Sequence, residues 1–172
     1  RAMVTISFIA QKQGLFTGDG MGHCGLIELA NLDVPESLYA LEKPSAWRLT
    51  PETLGPFLSP RDRNAHKNQF GHVLVVGGNL GFSGAPVLSA TAALRMGAGL
   101  VSIATRKEHA SFLNIQTPEL MCHGVMKPDQ LRPLIEQASV VVIGPGLGMD
   151  TWAKSLWNIV KTSSLSCVVD AD

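Results

Sequence analysis

An α/β fold is predicted for most of this chain from three observations. Short apolar strands alternate with helical segments from about residue 72 onward, two of those strands run straight into glycine-rich turns, and each of those turns opens a helix. Residues 3–10, MVTISFIA, are rich in β-branched and apolar types and read as a first strand. A turn-rich stretch with five glycines between Gly14 and Gly25 follows, and then a second strand, Leu26–Ala30. From Pro35 to Pro60 the periodicities fade and Pro44, Pro51 and Pro56 punctuate the chain, as expected of a linker with one short helix capped by Thr50.

Beyond the linker the rhythm is regular. A strand is expected at His72–Val76, a helix at 86–96 closed by Gly97, a strand at 100–104, and then helix and strand again. The strand at 139–143 is apolar after its first residue, as in a parallel sheet covered on both faces. Asp150 or Thr151 is placed to cap a helix bearing Trp152, Leu156, Ile159 and Val160 on one stripe, and a last strand covers 166–170.

Composition narrows the function. Fourteen basic residues balance fourteen acidic ones, which removes any global footprint for nucleic acid or an anionic membrane and leaves a small molecule as the expected partner. Cys24, Cys122 and Cys167 are odd in number and lack CxxC spacing, so neither a disulfide framework nor a zinc site is expected, and a cytoplasmic setting is. The five histidines also lack ligand spacing, and no metal held by His or Cys is expected. No apolar run approaches the roughly 20 residues of a membrane span, and no export signal leads the chain.

Two glycine clusters carry the candidate chemistry. VLVVGGNLGFSGAP, 73–86, is strand, turn and helix start, which brings backbone N–H groups and a helix N-terminus toward an anion. Its spacing fits neither the GxGxxG nor the GxxxxGK[ST] fingerprint, so ligand contact and a plain tight turn both stay open. GPGLGMD, 144–150, also follows a strand and precedes a helix, so both loops belong to one sheet edge and define a crevice. Its alternating Gly144, Gly146 and Gly148 favour close ligand approach over a merely strained connection.

Asp170 and Asp172 end the last strand facing that crevice, suiting a cation or a substrate hydroxyl, with helix capping the alternative for Asp172. Arg61, Arg63, His66 and Lys67 cluster before His72; a solvated basic loop is the ordinary reading, and Lys67 is the member placed to reach a phosphate. TGDG, 17–20, reads as a turn between two strands that precedes no helix.

Taken in order, HKNQFGHVLVVGGNLGFSGAP, ATAALRMGAGLVSIAT, TPELM, VVVIGPGLG and VVDAD resemble the ADP- or ATP-dependent NAD(P)H-hydrate dehydratases of the ribokinase-like superfamily, from about residue 59 onward. Upstream, VTISFIAQKQGLFTGDGMGHCGLIELANLDVP resembles the last segment of the NAD(P)H-hydrate epimerase domain that precedes the dehydratase in fused bacterial enzymes. The resemblance implies the N-terminal half of a three-layer αβα ribokinase-like domain at 59–172, a linker at 38–58, and at 1–37 the terminal strands of a Rossmann-like epimerase domain. The chain is expected to be cut at both ends, since strand-like runs are under way at Arg1 and at Asp172.

The implied activity is cofactor repair. The epimerase interconverts the two C6 epimers of hydrated NADH or NADPH; the dehydratase phosphorylates the hydroxyl of the S epimer at the expense of ADP, and elimination then restores the dihydronicotinamide. By carry-over Gly84, Ala85, Gly146 and Gly148 contact the hydrated dinucleotide, and Lys67 and Asp170 line the same crevice. ADP or ATP with Mg2+ is the implied nucleotide, and K+ belongs to the epimerase part. The family's catalytic aspartate lies in a GTGD-type loop expected beyond Asp172, so the chain is expected to catalyse neither reaction.

One departure is Asn68, where the family has glycine after the His-Lys pair. Apolar surface left on a half-sheet would be covered by oligomerisation, strand exchange or further chain, and a homo-oligomer is expected. Two rivals stay open: a ribokinase-like kinase of a vitamin-precursor alcohol, which the epimerase-like head disfavours, and a non-catalytic nucleotide-binding module.

Overall fold

The computed structural model describes residues 1–58 and 60–170, which group into two compact units, Arg1–Pro60 and Arg61–Asp172. Ser59, where the second domain was expected to begin, and Asp172 lie outside the described residues.

In the first unit β1 (Val4–Phe8) leads through α1 (Gly20–His23) to β2 (Leu26–Ala30). The two strands pair in parallel, Val4 opposite Leu26 and Phe8 opposite Ala30. The first strand is shorter than expected because Ile9 turns to φ 70°, so that its N–H to Ala30 O is the last bond from this strand to β2. A parallel pair cannot be closed by a tight hairpin. The expectation for TGDG is therefore corrected: residues 17–20 lie inside a crossover and run directly into the four-residue α1. The linker stretch holds two further short helices, α2 (Glu36–Tyr39) and α3 (Pro51–Leu54). As expected, Thr50 caps α3: its hydroxyl accepts from the Thr53 N–H, and the Thr53 hydroxyl accepts from the Thr50 N–H.

The second unit runs β3 (His72–Val76), α4 (Gly84–Met96), β4 (Leu100–Thr105), α5 (Lys107–Ala110), β5 (Met121–Gly124), α6 (Arg132–Gln137), β6 (Val140–Ile143), α7 (Thr151–Lys161) and β7 (Ser166–Val169). The five strands form one parallel sheet in the order β5-β4-β3-β6-β7. Successive side chains of a strand face opposite sides, and the burial divides accordingly. Leu74, Val76, Val141 and Ile143 pack with Trp152, Leu156 and Val160 of α7 on one face. Val75, Val101 and Ile103 pack with Ala90 of α4 on the other. The result is the expected helix-sheet-helix layering.

Helix α4 ends as its sequence predicts, with Gly97 at φ 106° in the left-handed region and its N–H bonded to Leu94 O. β7 is an edge strand among the described residues, and all four of its residues are exposed. No helix among the described residues is long and apolar enough to cross a membrane.

The chain enters the sheet at β3, adds β4 and β5 on one side, then returns to place β6 and β7 on the other. The direction of winding thus reverses between β3 and β6. At such a point the two outgoing loops diverge and leave a crevice at the carboxyl ends of the strands.

Two predictions follow from this core. Leu156 is fully buried between α7 and the sheet, so Leu156→Ala should lower unfolding stability by about 2–5 kcal/mol in urea titrations. On the sheet face covered by α6 and α7, His72, Ser102 and His123 form a row across β3, β4 and β5, with Ser102 Oγ 2.8 Å from His72 Nε2 and 3.4 Å from His123 Nε2. Burial, and secondarily His72, hold His123 below its ordinary pKa of 6.5. The folded state therefore resists protonation there. Its stability is full above 6.5 and declines as pH falls from there through the depressed folded value, and His123→Gln should flatten that decline in pH-dependent thermal melts.

Candidate ligand crevice

The two glycine loops meet at the β3/β6 reversal because they are hydrogen-bonded to each other. The Gly78 N–H donates to Pro145 O at 2.9 Å and the Asn79 N–H to Gly146 O at 2.7 Å, extending the β3–β6 pairing past the strand ends. That approach requires glycine: a Cβ at Gly77 would lie 2.1 Å from the Pro145 carbonyl oxygen. The Gly78 carbonyl accepts from the Thr105 hydroxyl at 2.9 Å and lies 3.1 Å from His109 Nδ1, so the first loop is also tied to the end of β4 and to α5.

Most of the residues singled out in the sequence come together here. Gly146, at φ 62°, sits where a Cβ would be 2.8 Å from both Cβ and O of Phe82 and 3.2 Å from the Ala85 Cβ. Gly146 therefore packs directly on the start of α4, beside Phe82 and Ala85. Gly84 opens α4 with open space where its Cβ would be, and no side chain caps that helix. The first-turn N–H groups of a helix lack partners within it and suit an anionic ligand. Gly148, at φ 71°, packs against the Asn79 side chain, and Gly144 packs against Asp170, whose N–H donates to Ile143 O at 2.9 Å. Asp170 thus lies at the same edge and is exposed.

Lys67 is not brought to the crevice. It begins a short 3-10 turn ahead of β3, and its carbonyl lies against Gly99, just before β4. That is the amino edge of the sheet, a strand length or about 16 Å from the loops. Arg61 belongs there too, donating to the Gly97 carbonyl and stacking its guanidinium 3.8 Å from the centre of the Phe70 ring. Arg61 and Lys67 thus belong to the amino edge.

A network that sequence reasoning missed spans the crevice floor. Asn79 is buried; its Nδ2 donates to Leu147 O at 3.0 Å, and its Oδ1 accepts from the Leu80 N–H and from Arg106 Nε at 2.8 Å. Arg106 also donates to Asp150 Oδ2 at 2.6 Å and lies 4.2 Å from the Trp152 ring centre. Asp150 is the expected cap of α7, its Oδ1 accepting from the Ala153 N–H at 2.8 Å. That N–H, then the Asn79 side chain and Arg106, hold the Asp150 carboxyl below its ordinary value. Asn79 sits inside the first glycine motif, but Arg106 belongs to no motif, and only the fold shows that it reaches both loops.

Beside the loops, between α7 and the ends of β6 and β7, lies a cavity of about 250 Å³ walled by Leu147, Met149, Ala153, Trp157 and Val169, with Lys154 its charged lining residue. Among the described residues no three His, Cys, Asp or Glu side chains cluster as metal ligands.

Residues 73–172 match the protein family described as NAD(P)H-hydrate dehydratase. The bifunctional NAD(P)H-hydrate repair enzyme of Coxiella burnetii is 46% identical over 172 residues, covering 100% of this chain and 35% of that protein. The ADP-dependent (S)-NAD(P)H-hydrate dehydratase of Lactiplantibacillus plantarum is 38% identical over 116 residues, covering 67% of this chain and 42% of its own length. Among solved structures, a ribokinase-like superfamily protein of Enterococcus faecalis superposes with a TM-score of 0.59 at 31% identity, over 69% of this chain and 43% of that one. The chain spans about a third of the length of the bifunctional relatives it matches.

The glycine requirement is testable by a paired substitution. Gly146→Ala forces a methyl group onto Phe82 from a left-handed backbone and should lower unfolding stability by about 1–3 kcal/mol. Gly84→Ala, in open space, should leave the urea midpoint unchanged or slightly raised.

Proposed function

The chain belongs to the NAD(P)H-hydrate dehydratase family, and from that premise we propose that residues 61–172 form the dinucleotide-facing half of an enzyme that returns the S epimer of NADH or NADPH hydrate to the reduced cofactor. The observation that carries this reading is the pair of glycine loops bonded edge to edge at the β3/β6 reversal, with Gly146 packed beside Ala85 where α4 starts. Side chains are trimmed there to glycine and alanine, so a flat, phosphate-bearing ligand approaches the backbone directly. The uncapped start of α4 faces the anionic part of the dinucleotide, Gly148 borders the cleft, and Asp170, exposed at the same edge, offers a carboxylate to a ligand hydroxyl.

In this reading the hydroxyl of the S hydrate is phosphorylated by ADP or ATP, and loss of phosphate re-forms the ring double bond. The described residues offer no cluster of ligands for Mg2+. The family resemblance, not the described residues, is what assigns the nucleotide, Mg2+ and the catalytic aspartate to a GTGD-type loop outside the matched segments. Residues 1–37 are read as the tail of an epimerase domain that interconverts the R and S hydrates with K+, and 38–58 as the linker. A cytoplasmic homo-oligomer accords with a cofactor-repair role.

The test mixes this chain with S-NADPH hydrate, ADP and Mg2+ and follows both binding and NADPH absorbance. Saturable binding of the hydrate without recovery of absorbance is the expected result. Absence of hydrate binding would overturn the substrate assignment. Recovery that depends on ADP would overturn the placing of the catalytic aspartate outside the chain.

A further inference from the structure

Resting on that reading of the crevice, we infer that Arg106 is a positioning residue that holds the 77–83 loop to the start of α7 and thereby sets the affinity for the dinucleotide. Arg106 is the first residue after β4, one strand away from β3 and two from β6, yet its side chain is tied to both outgoing loops. On one side Nε donates to Asn79 Oδ1 at 2.8 Å, and Asn79 in turn holds Leu147 O at 3.0 Å. On the other, the guanidinium donates to Asp150 Oδ2 at 2.6 Å, two residues past Gly148, while that carboxylate's second oxygen caps α7. The face of the guanidinium is held at 4.2 Å from the Trp152 ring centre, and Trp152 is itself anchored by its indole N–H to Val125 O at 2.9 Å.

Each attachment removes a separate freedom. The bond to Asn79 fixes the height of the 77–83 loop, the bond to Asp150 fixes the start of α7 and the end of the 144–148 loop, and the ring fixes the plane of the fork between them. A planar group with donors at fixed angles does this; a lysine ammonium is a point charge on a flexible stem and serves one partner at a time. Neither loop has another cation bridging it to the other among the described salt bridges. The backbone bonds from Gly78 and Asn79 and the packing of Gly146 on Phe82 and Ala85 close the loops on each other near the strand ends, and the Arg106 fork ties the 77–83 loop to the start of α7 beyond them.

The test compares NADPH affinity by titration calorimetry for the unaltered chain, Arg106→Ala and Arg106→Lys, with thermal midpoints measured alongside. Both variants should bind NADPH roughly tenfold or more weakly, because a small misplacement of binding groups costs that much. Arg106→Lys should do so with a midpoint near that of the unaltered chain, since charge and stacking survive while the fork is lost. If Arg106→Ala fails to fold, the lysine variant decides alone. Unaltered affinity in Arg106→Lys overturns the inference, as does loss of midpoint without loss of affinity in Arg106→Ala. Failure of the unaltered chain to bind NADPH overturns the crevice reading itself, and shows in that arm before any variant is compared.

Discussion

Everything at the carboxyl edge depends on the backbone pairing of Gly78 and Asn79 with Pro145 and Gly146. The β3–β6 ladder does not stop where the strands stop; it continues into the loops, and it does so because Gly77 and Gly146 leave room that any side chain would fill. With the loops closed on each other, α4 and α7 start at defined places, and their buried faces determine where the two cores form on either side of the sheet. The geometry of the crevice and the packing of the domain are thus one constraint seen from two sides.

Electrostatics refines what the backbone establishes. The Asn79–Arg106–Asp150 chain is only partly buried, its ion pair having side chains 22% and 46% exposed, so its contribution to overall stability is small. Its significance is directional: one cation consolidates a loop from β3, a helix start after β6 and an indole face in a single plane. Function and fold make different demands on such a group. A residue that adds little to stability still governs how well a rigid ligand fits.

Much of the fold was legible in the chain. His72–Val76, the helix ending at Gly97 and the helix capped by Asp150 announced themselves through continuous apolar runs bounded by glycine, or through a cap ahead of an apolar stripe. β5, α5 and α6 did not, since Met121–Gly124 and Lys107–Ala110 are four residues each and too short to show a period. The parallel pairing of β1 with β2 was hidden as well, because the Asp-Gly pair signals a tight turn, whereas here it lies inside a crossover and runs into a short helix.

The sequence by itself determined which residues would be glycine at the ends of two strands and which helices would follow them, since those requirements are local: a φ near 60–70°, a cap, an apolar stripe. It also carried the family resemblance. What only the tertiary structure decided is which edge each residue occupies and which distant residues meet. Lys67 and the 77–83 loop are close in sequence but lie at opposite ends of β3, because an extended strand separates its own flanks. Asn79, Arg106 and Asp150 are far apart in sequence and touch, because parallel strands in the order β4-β3-β6 deliver all their outgoing loops to one edge.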